Sequence, residues 1–213
     1  MHGVIAVFFI LLATLPPLRP ELQPEEVRRL VLRAQKGESQ ALAQLYEAFV
    51  QRIFRYIAYR VASSADAEDL TAEVFLKMVE GLREYRWTGA PFEAWLYSIA
   101  AARVIDFRRR STRRQHSALS EELSADEAHP EEQLQAAQEV DMLRQALRAL
   151  SAEQQTILVL RFIQRKSHQE VAEIVGKSVT AVKSIQHRAL IELSARLGSS
   201  EKVRHYLRGS SDV

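Results

Sequence analysis

Lys177, Ser178, Thr180, Lys183, Ser184, His187 and Arg188 crowd the polar side of one short stretch of chain. Lys and Arg can reach phosphates or guanine edges, and Ser and Thr can serve backbone or base, so this row has the chemistry of a DNA-reading surface. Its setting agrees. Val171, Ala172 and Ile174 form the inward face of a short helix, Gly176 to Ser178 make a tight turn, and Val182, Ile185, Ala189 and Leu193 form the inward face of a second helix. Two helices that cross steeply need a small residue at the crossing, here Ala172, and a turn residue tolerant of positive φ, here Gly176. The pattern predicts a helix-turn-helix whose second helix presents its first turns to a major groove. The plainer alternative is a helical hairpin with a basic outer face.

Three other groups could do chemistry. Asp66, Glu68, Asp69 and Glu73 suggest a metal or acid–base site, but acids in a first helical turn are ordinary partners of the helix dipole, and no His stands near them in sequence. A protein-docking face suits them better. Tyr85, Arg86 and Trp87 lie in a loop that ends at Gly89, where an aromatic ring and a cation can stack on an unpaired base or fold back onto the core. Arg103, Arg108, Arg109, Arg110, Arg113 and Arg114 face a single acid, Asp106, and make a basic block suited to a polyanion. The His residues lack H-E-x-x-H spacing, and neither a phosphate-binding loop nor a nucleophile elbow is present. No cofactor, metal or small-molecule substrate is therefore expected, and the chain does not read as an enzyme.

These groups must be held by helices. The 213 residues are 47% hydrophobic and 26% charged, a globular composition, and only 7 Gly and 6 Pro interrupt a chain rich in helix formers. With no Cys, disulfides and thiolate metal sites are excluded. Pro24, Glu25 and Glu26 mark one helix start, Ser39 can cap a second helix, and Ser63 or Ser64 a third that Gly81 closes. Pro91 opens a fourth with Phe92, Trp95, Leu96 and Ile99 on one face, which runs into the arginine block. From Gln115 to Asp141 the charged residues are all acidic. Beyond that connector, Ser151 to Gln154 and Ser167 to Glu170 each have the form of a capping box.

The expected fold is all-α: two small helical domains joined by a flexible acidic linker, the second containing the helix-turn-helix. The boundaries read as an apolar, Pro-rich extension over 1–24, a first domain over 25–110, a linker over 111–133, a second domain over 134–197 and a tail over 198–213. The apolar run Val4 to Leu15 is shorter than the roughly 20 residues a membrane span needs. It reads as an unstructured extension, an anchor or a docked helix.

Three stretches of the first domain, DAEDLTAEVF from Asp66, GAPFEAWLY from Gly89 and IDFRRR from Ile105, closely resemble region 2 of extracytoplasmic-function (ECF) sigma factors. LRALSAEQ from Leu147, the helix-turn-helix after it, and VKSIQHRAL from Val182 resemble region 4 of the same family. The resemblance covers about residues 25 to 197, and the ordered set is far more specific than any one stretch. It implies an RNA polymerase sigma factor in the cytoplasm that binds core polymerase, recognises −35 and −10 promoter elements and promotes strand opening.

The resemblance also implies roles. Asp66, Glu68, Asp69, Glu73 and Phe75 would dock on the polymerase, whose β′ clamp and β subunit are the expected contacts. Tyr85, Arg86 and Trp87 would capture a base flipped from the −10 element, with Arg103, Arg108, Arg109 and Arg110 on the melting DNA. Lys177, Ser178, Thr180, Lys183, Ser184, His187 and Arg188 would serve the −35 element. An anti-sigma protein covering both domains is a further implied partner. Ala72 stands where the family often has Gln, Ala102 lies near a common Asn, and the apolar N-terminus is outside the pattern. The residues alone also admit a stand-alone helix-turn-helix regulator, which would dimerise on a palindrome, and a membrane-tethered one.

Overall fold

The computed structural model describes residues 22–117 and 143–197. The apolar run Val4–Leu15 and nearly all of the acidic connector lie outside the described residues. Helices dominate, and no strand occurs among the described residues.

The first domain is four helices. α1 (Pro24–Gln35) starts with Pro24 in its first turn and Glu25 and Glu26 at its positive end. Gln35, at its other end, donates to the Leu82 and Tyr85 carbonyls at 3.0 and 2.9 Å. That side chain satisfies orphan carbonyls where another helix stops and fixes the start of the aromatic loop. α2 (Ser39–Ala58) is the central helix, with Leu45, Phe49, Ile53, Tyr56 and Ile57 buried. Its N-cap is Glu38, so Ser39 is the first helical residue and not the cap expected from sequence. α3 (Ser64–Leu82) is capped by Ser63, whose hydroxyl accepts from the Asp66 amide at 3.0 Å. Gly81 does not close α3 but lies inside it, where a Cβ would sit 3.1 Å from the Trp95 ring. A larger residue there would need the Trp95 ring to shift by a few tenths of an ångström.

α4 (Phe92–Ser117) corrects the expected end of the domain, since the helix continues past residue 110 into the segment read as linker. The reason is local: no Gly or Pro follows Pro91 until Pro130.

The second domain comprises helical residues 143–148, α5 (Ala152–Leu158), a π-helical turn (Val159–Ile163), α6 (His168–Val175) and α7 (Val179–Leu197). Both capping boxes form, Ser151 with Gln154 and Ser167 with Glu170. Gly176 ends α6 at φ 65°, in the left-handed region a Cβ disfavours.

The second domain rests on the first along α2 and α4. Hydrogen bonds tie Tyr56 to Thr156, Arg60 to Gln155, Tyr97 to Gln164 and Arg148 to the Val61 carbonyl, and Lys166 pairs with Glu93.

Candidate nucleic-acid interface

On the helix-turn-helix, α6 turns Val171, Ala172 and Ile174 into the core and α7 turns in Val182, Ile185, Ala189 and Leu193. The polar row therefore faces out: Lys177, Ser178, Thr180, Lys183, Ser184, His187 and Arg188 are all exposed. The Ser178 hydroxyl accepts from the Ala181 amide at 3.2 Å and anchors the start of the recognition helix. Lys177, in the turn, pairs with Glu153 of α5 at 2.8 Å.

A polar knot that sequence reasoning did not find sets the angle of α7. The Gln186 side-chain oxygen, Oε1, accepts from Arg161 Nε at 3.2 Å and lies 3.1 Å from His168 Nε2. Arg161 also donates to the Lys166 carbonyl. Burial holds the His168 pKa below its ordinary value, and Arg161 and Lys183 push the same way while Gln186 opposes them. A depressed histidine pKa means that the unfolded chain takes up the proton first. The contribution to stability is thus full above about pH 6.5 and is lost as pH falls through the folded value. Thermal melts of the wild type should show a falling Tm below about pH 6.5, and H168Q should flatten that segment of the curve. Parallel curves for the two proteins would refute it.

The aromatic loop between α3 and α4 is built on Tyr85. Its half-buried ring packs at 4.8 Å on Trp95 and 5.3 Å on Phe92, and Trp87 meets its edge at 6.2 Å. Burial raises the Tyr85 pKa, which keeps the phenol protonated. Trp87 is 37% exposed, and Arg28 of α1 stands 6.0 Å from its ring centre. Arg28 was not picked out from sequence because it lies far from the loop along the chain. Trp95, expected as core, is only half-buried and forms the floor of this aromatic stack. Arg86 is exposed and donates to the carbonyls of Arg83 and Tyr85, both at 3.2 Å.

The arginine block divides. Arg109 and Arg110 are exposed, and Arg103 is half-buried between Asp106 at 3.2 Å and Glu73 at 4.0 Å. Arg108 turns the other way. It donates to the Arg60 carbonyl at 3.0 Å and the Arg148 carbonyl at 3.5 Å, and burial lowers its pKa. In this arrangement Arg108 belongs to the domain junction and not to an open DNA surface.

The expected docking face is α3. Glu68 and Asp69 are exposed, while Asp66 and Glu73 are half-buried at its edge. Phase separates Phe75 from them: it is 5% exposed, packed edge-on against Tyr46 at 4.8 Å, and so is core. The exposed row runs on through Ala72, Leu76 and Val79, with Leu76 59% exposed. Their i, i+4, i+7 spacing could have been read from sequence, but an apolar residue on a helix is ordinarily assigned inward.

Comparison with known proteins follows the same division. Residues 45–114 match Sigma-70 region 2 and residues 141–193 match Sigma-70, region 4. The ECF RNA polymerase sigma factor BldN of Streptomyces coelicolor is 37% identical over 183 residues, which cover 84% of this chain and 69% of the relative. The ECF RNA polymerase sigma factor SigD of Mycobacterium tuberculosis is 37% identical over 179 residues, covering 81% and 84%. Among solved structures, CnrH in complex with the cytosolic domain of CnrY aligns with a TM-score of 0.60 at 23% identity, over 83% of this chain and 99% of that one, a likeness of fold. No helix among the described residues is long and apolar enough to cross a membrane.

Proposed function

The chain belongs to the ECF sigma factors, and from that premise we propose that it divides promoter recognition between its two domains while core RNA polymerase holds both. It binds core polymerase, recognises the −35 and −10 elements and promotes strand opening. The polymerase's own active centre then does the chemistry. That role puts the protein in the cytoplasm, with the chromosome. The observation that carries the residue assignment is the exposed row on α7 and its preceding turn, held outward by a buried apolar face and by the Gln186 knot.

Lys177, Ser178, Thr180, Lys183, Ser184, His187 and Arg188 serve the −35 element. Exposed Glu68 and Asp69, with Asp66 and Glu73 beside them, dock on the polymerase clamp. Trp87 and Arg86, supported by Tyr85, receive a base from the −10 element, and Arg103, Arg109 and Arg110 lie along its backbone. Unstacking a base costs a few kcal/mol, which stacking on an aromatic ring and neutralised phosphates can offset. One aromatic platform is worth roughly 1–3 kcal/mol per base, so W87A should slow open-complex formation by about ten- to a hundredfold with polymerase binding unchanged. Permanganate footprinting of the melted strand reads this directly, and unchanged reactivity would return Trp87 to a packing role.

The test of the whole reading is transcription from fragmented genomic DNA by core polymerase with and without the protein, with start sites sequenced. Starts that need the protein and share one upstream motif pair are expected. Absence of both such starts and core binding would leave a stand-alone DNA-binding regulator. An anti-sigma partner, implied by the family, is tested by affinity capture from cells. Recovery of polymerase with no other stoichiometric protein would exclude it.

A further inference from the structure

One face of α1 reaches the aromatic loop at two places. Gln35 donates to the Leu82 and Tyr85 carbonyls where the loop starts. Arg28, two turns earlier on the same face, stands over the Trp87 ring with its guanidinium carbon 6.0 Å from the ring centre. Both sides of that gap are fixed from behind. Val27, Leu30 and Val31 are buried and seat α1. Trp87 meets the edge of Tyr85, which rests on Trp95 at 4.8 Å and on Phe92 at 5.3 Å.

The gap is too wide for a good brace. A guanidinium in direct contact with a ring lies closer, as Arg60 does at 4.6 Å from the Tyr56 ring centre. At 6.0 Å the Arg28 pair is at the outer limit of a cation–π contact, and at an exposed site such a contact is weak. The width suits an inserted base better. Bases stack at ~3.4 Å, so a base with a flat group on each face needs about 6.8 Å. The slot therefore has to open by only about 1 Å, which an exposed arginine side chain allows. Aromatic rings and guanidinium planes are the two side-chain surfaces on which unpaired bases stack.

The loop's own arginine does not supply the second face. Arg86 Nη1 is held against the loop backbone by the carbonyls of Arg83 and Tyr85. Acids stand near the slot as well as cations: Glu25 and Glu26 line the same groove of α1 as Arg28 and Arg29, and Glu84 precedes the loop. Net charge thus does not select the ligand here; the spacing of the two flat groups does.

We propose that Arg28 and Trp87 are the two jaws of a slot that takes one unpaired DNA base between a guanidinium plane and an indole ring, so that α1 contributes a DNA-binding residue. The proposal rests on the sigma-factor reading for the strand that supplies the base, and on the geometry of the gap for the slot itself.

Arg28→Lys keeps the charge and loses the plane, and Arg28→Ala loses both. Arg28 is exposed, so neither change should shift Tm appreciably. With core polymerase and a forked fragment of a promoter the protein selects, both variants should bind about tenfold more weakly than wild type. On fragments that lack one base of the −10 element at a time, wild type and variants should converge at a single position. A Lys variant that binds as wild type does, or a loss that persists on every abasic fragment, overturns the slot and makes Arg28 a phosphate contact or a brace. The free full-length protein provides a second arm. The chain has 2 Trp, so Trp95→Phe leaves Trp87 as the sole tryptophan. A short single strand of mixed sequence should quench its fluorescence, an abasic strand of equal length should not, and adding Arg28→Lys should move the quench to about tenfold higher strand concentration. If that holds while polymerase with the wild type selects no promoter, the slot stands and the sigma-factor reading fails. Normal promoter selection with neither a quench nor a Lys effect keeps the sigma-factor reading and overturns the slot.

Discussion

Replacing Lys183 and Arg188 together by Ala should lower protein-dependent initiation by roughly a hundredfold while binding to core polymerase stays intact. Each good contact to a base edge is worth about 1–3 kcal/mol of discrimination, and ~1.4 kcal/mol is a factor of ten. Both side chains are exposed on α7 and neither holds the helix in place, since Gln186 and the apolar face do that. Loss should thus come from DNA and not from folding. The two kinds of contact can be separated. If Lys183 meets a phosphate, K183A weakens binding to all sequences alike and reduces the salt slope by about one. If Arg188 meets a guanine, R188A relaxes the preference at one position of the −35 element. Run-off transcription at two salt concentrations, on the native element and on single-base variants of it, reads both. A change below about twofold for the double variant would mean that the row is only a solvated face.

What could be read from sequence was whatever is encoded within a few residues. Ser151 with Gln154, and Ser167 with Glu170, are caps because a hydroxyl and a carboxamide or carboxylate three positions apart satisfy each other's backbone groups. Gly176 at the end of a short apolar face marks a turn for an equally local reason. The π-helical turn over Val159–Ile163 was not legible. It ends where Arg165 adopts φ 57° and the Lys166 amide reaches the Leu160 carbonyl, a register set by what Arg161 and Lys166 must meet elsewhere. Arg108 misled for the same reason. Within a run of arginines each looks equally solvated, and only the phase of α4 against Arg60 and Arg148 shows which one is withdrawn. The junction as a whole joins residues separated by dozens of positions, and no local pattern announces such pairs. The sequence reading correctly separated two helical domains but had no means of placing one on the other.

Phe75 tests where docking ends and core begins. The resemblance grouped it with the acids of α3; the structure turns it inward against Tyr46 at 5% exposure. Removing a buried phenylalanine typically costs about 3–5 kcal/mol, from lost transfer energy and the cavity left behind. For a chain of this size that is a large part of the total, so F75A should lower Tm by roughly 10 °C or more. It should weaken polymerase binding only in proportion to the unfolded fraction. Asp69 is the counterpart. It is exposed, and a surface substitution away from caps and buried networks shifts stability by only about half a kcal/mol. D69K should leave Tm nearly unchanged yet cut affinity for core polymerase by tenfold or more, because a reversed charge at a complementary interface costs several kcal/mol. Paired thermal melts and core-binding titrations separate the two effects. If F75A kept the wild-type Tm and lost polymerase, the ring would be a contact residue and α3 would have to rotate on docking. If D69K bound normally, the exposed apolar row of Ala72, Leu76 and Val79 would become the surface on which the clamp rests.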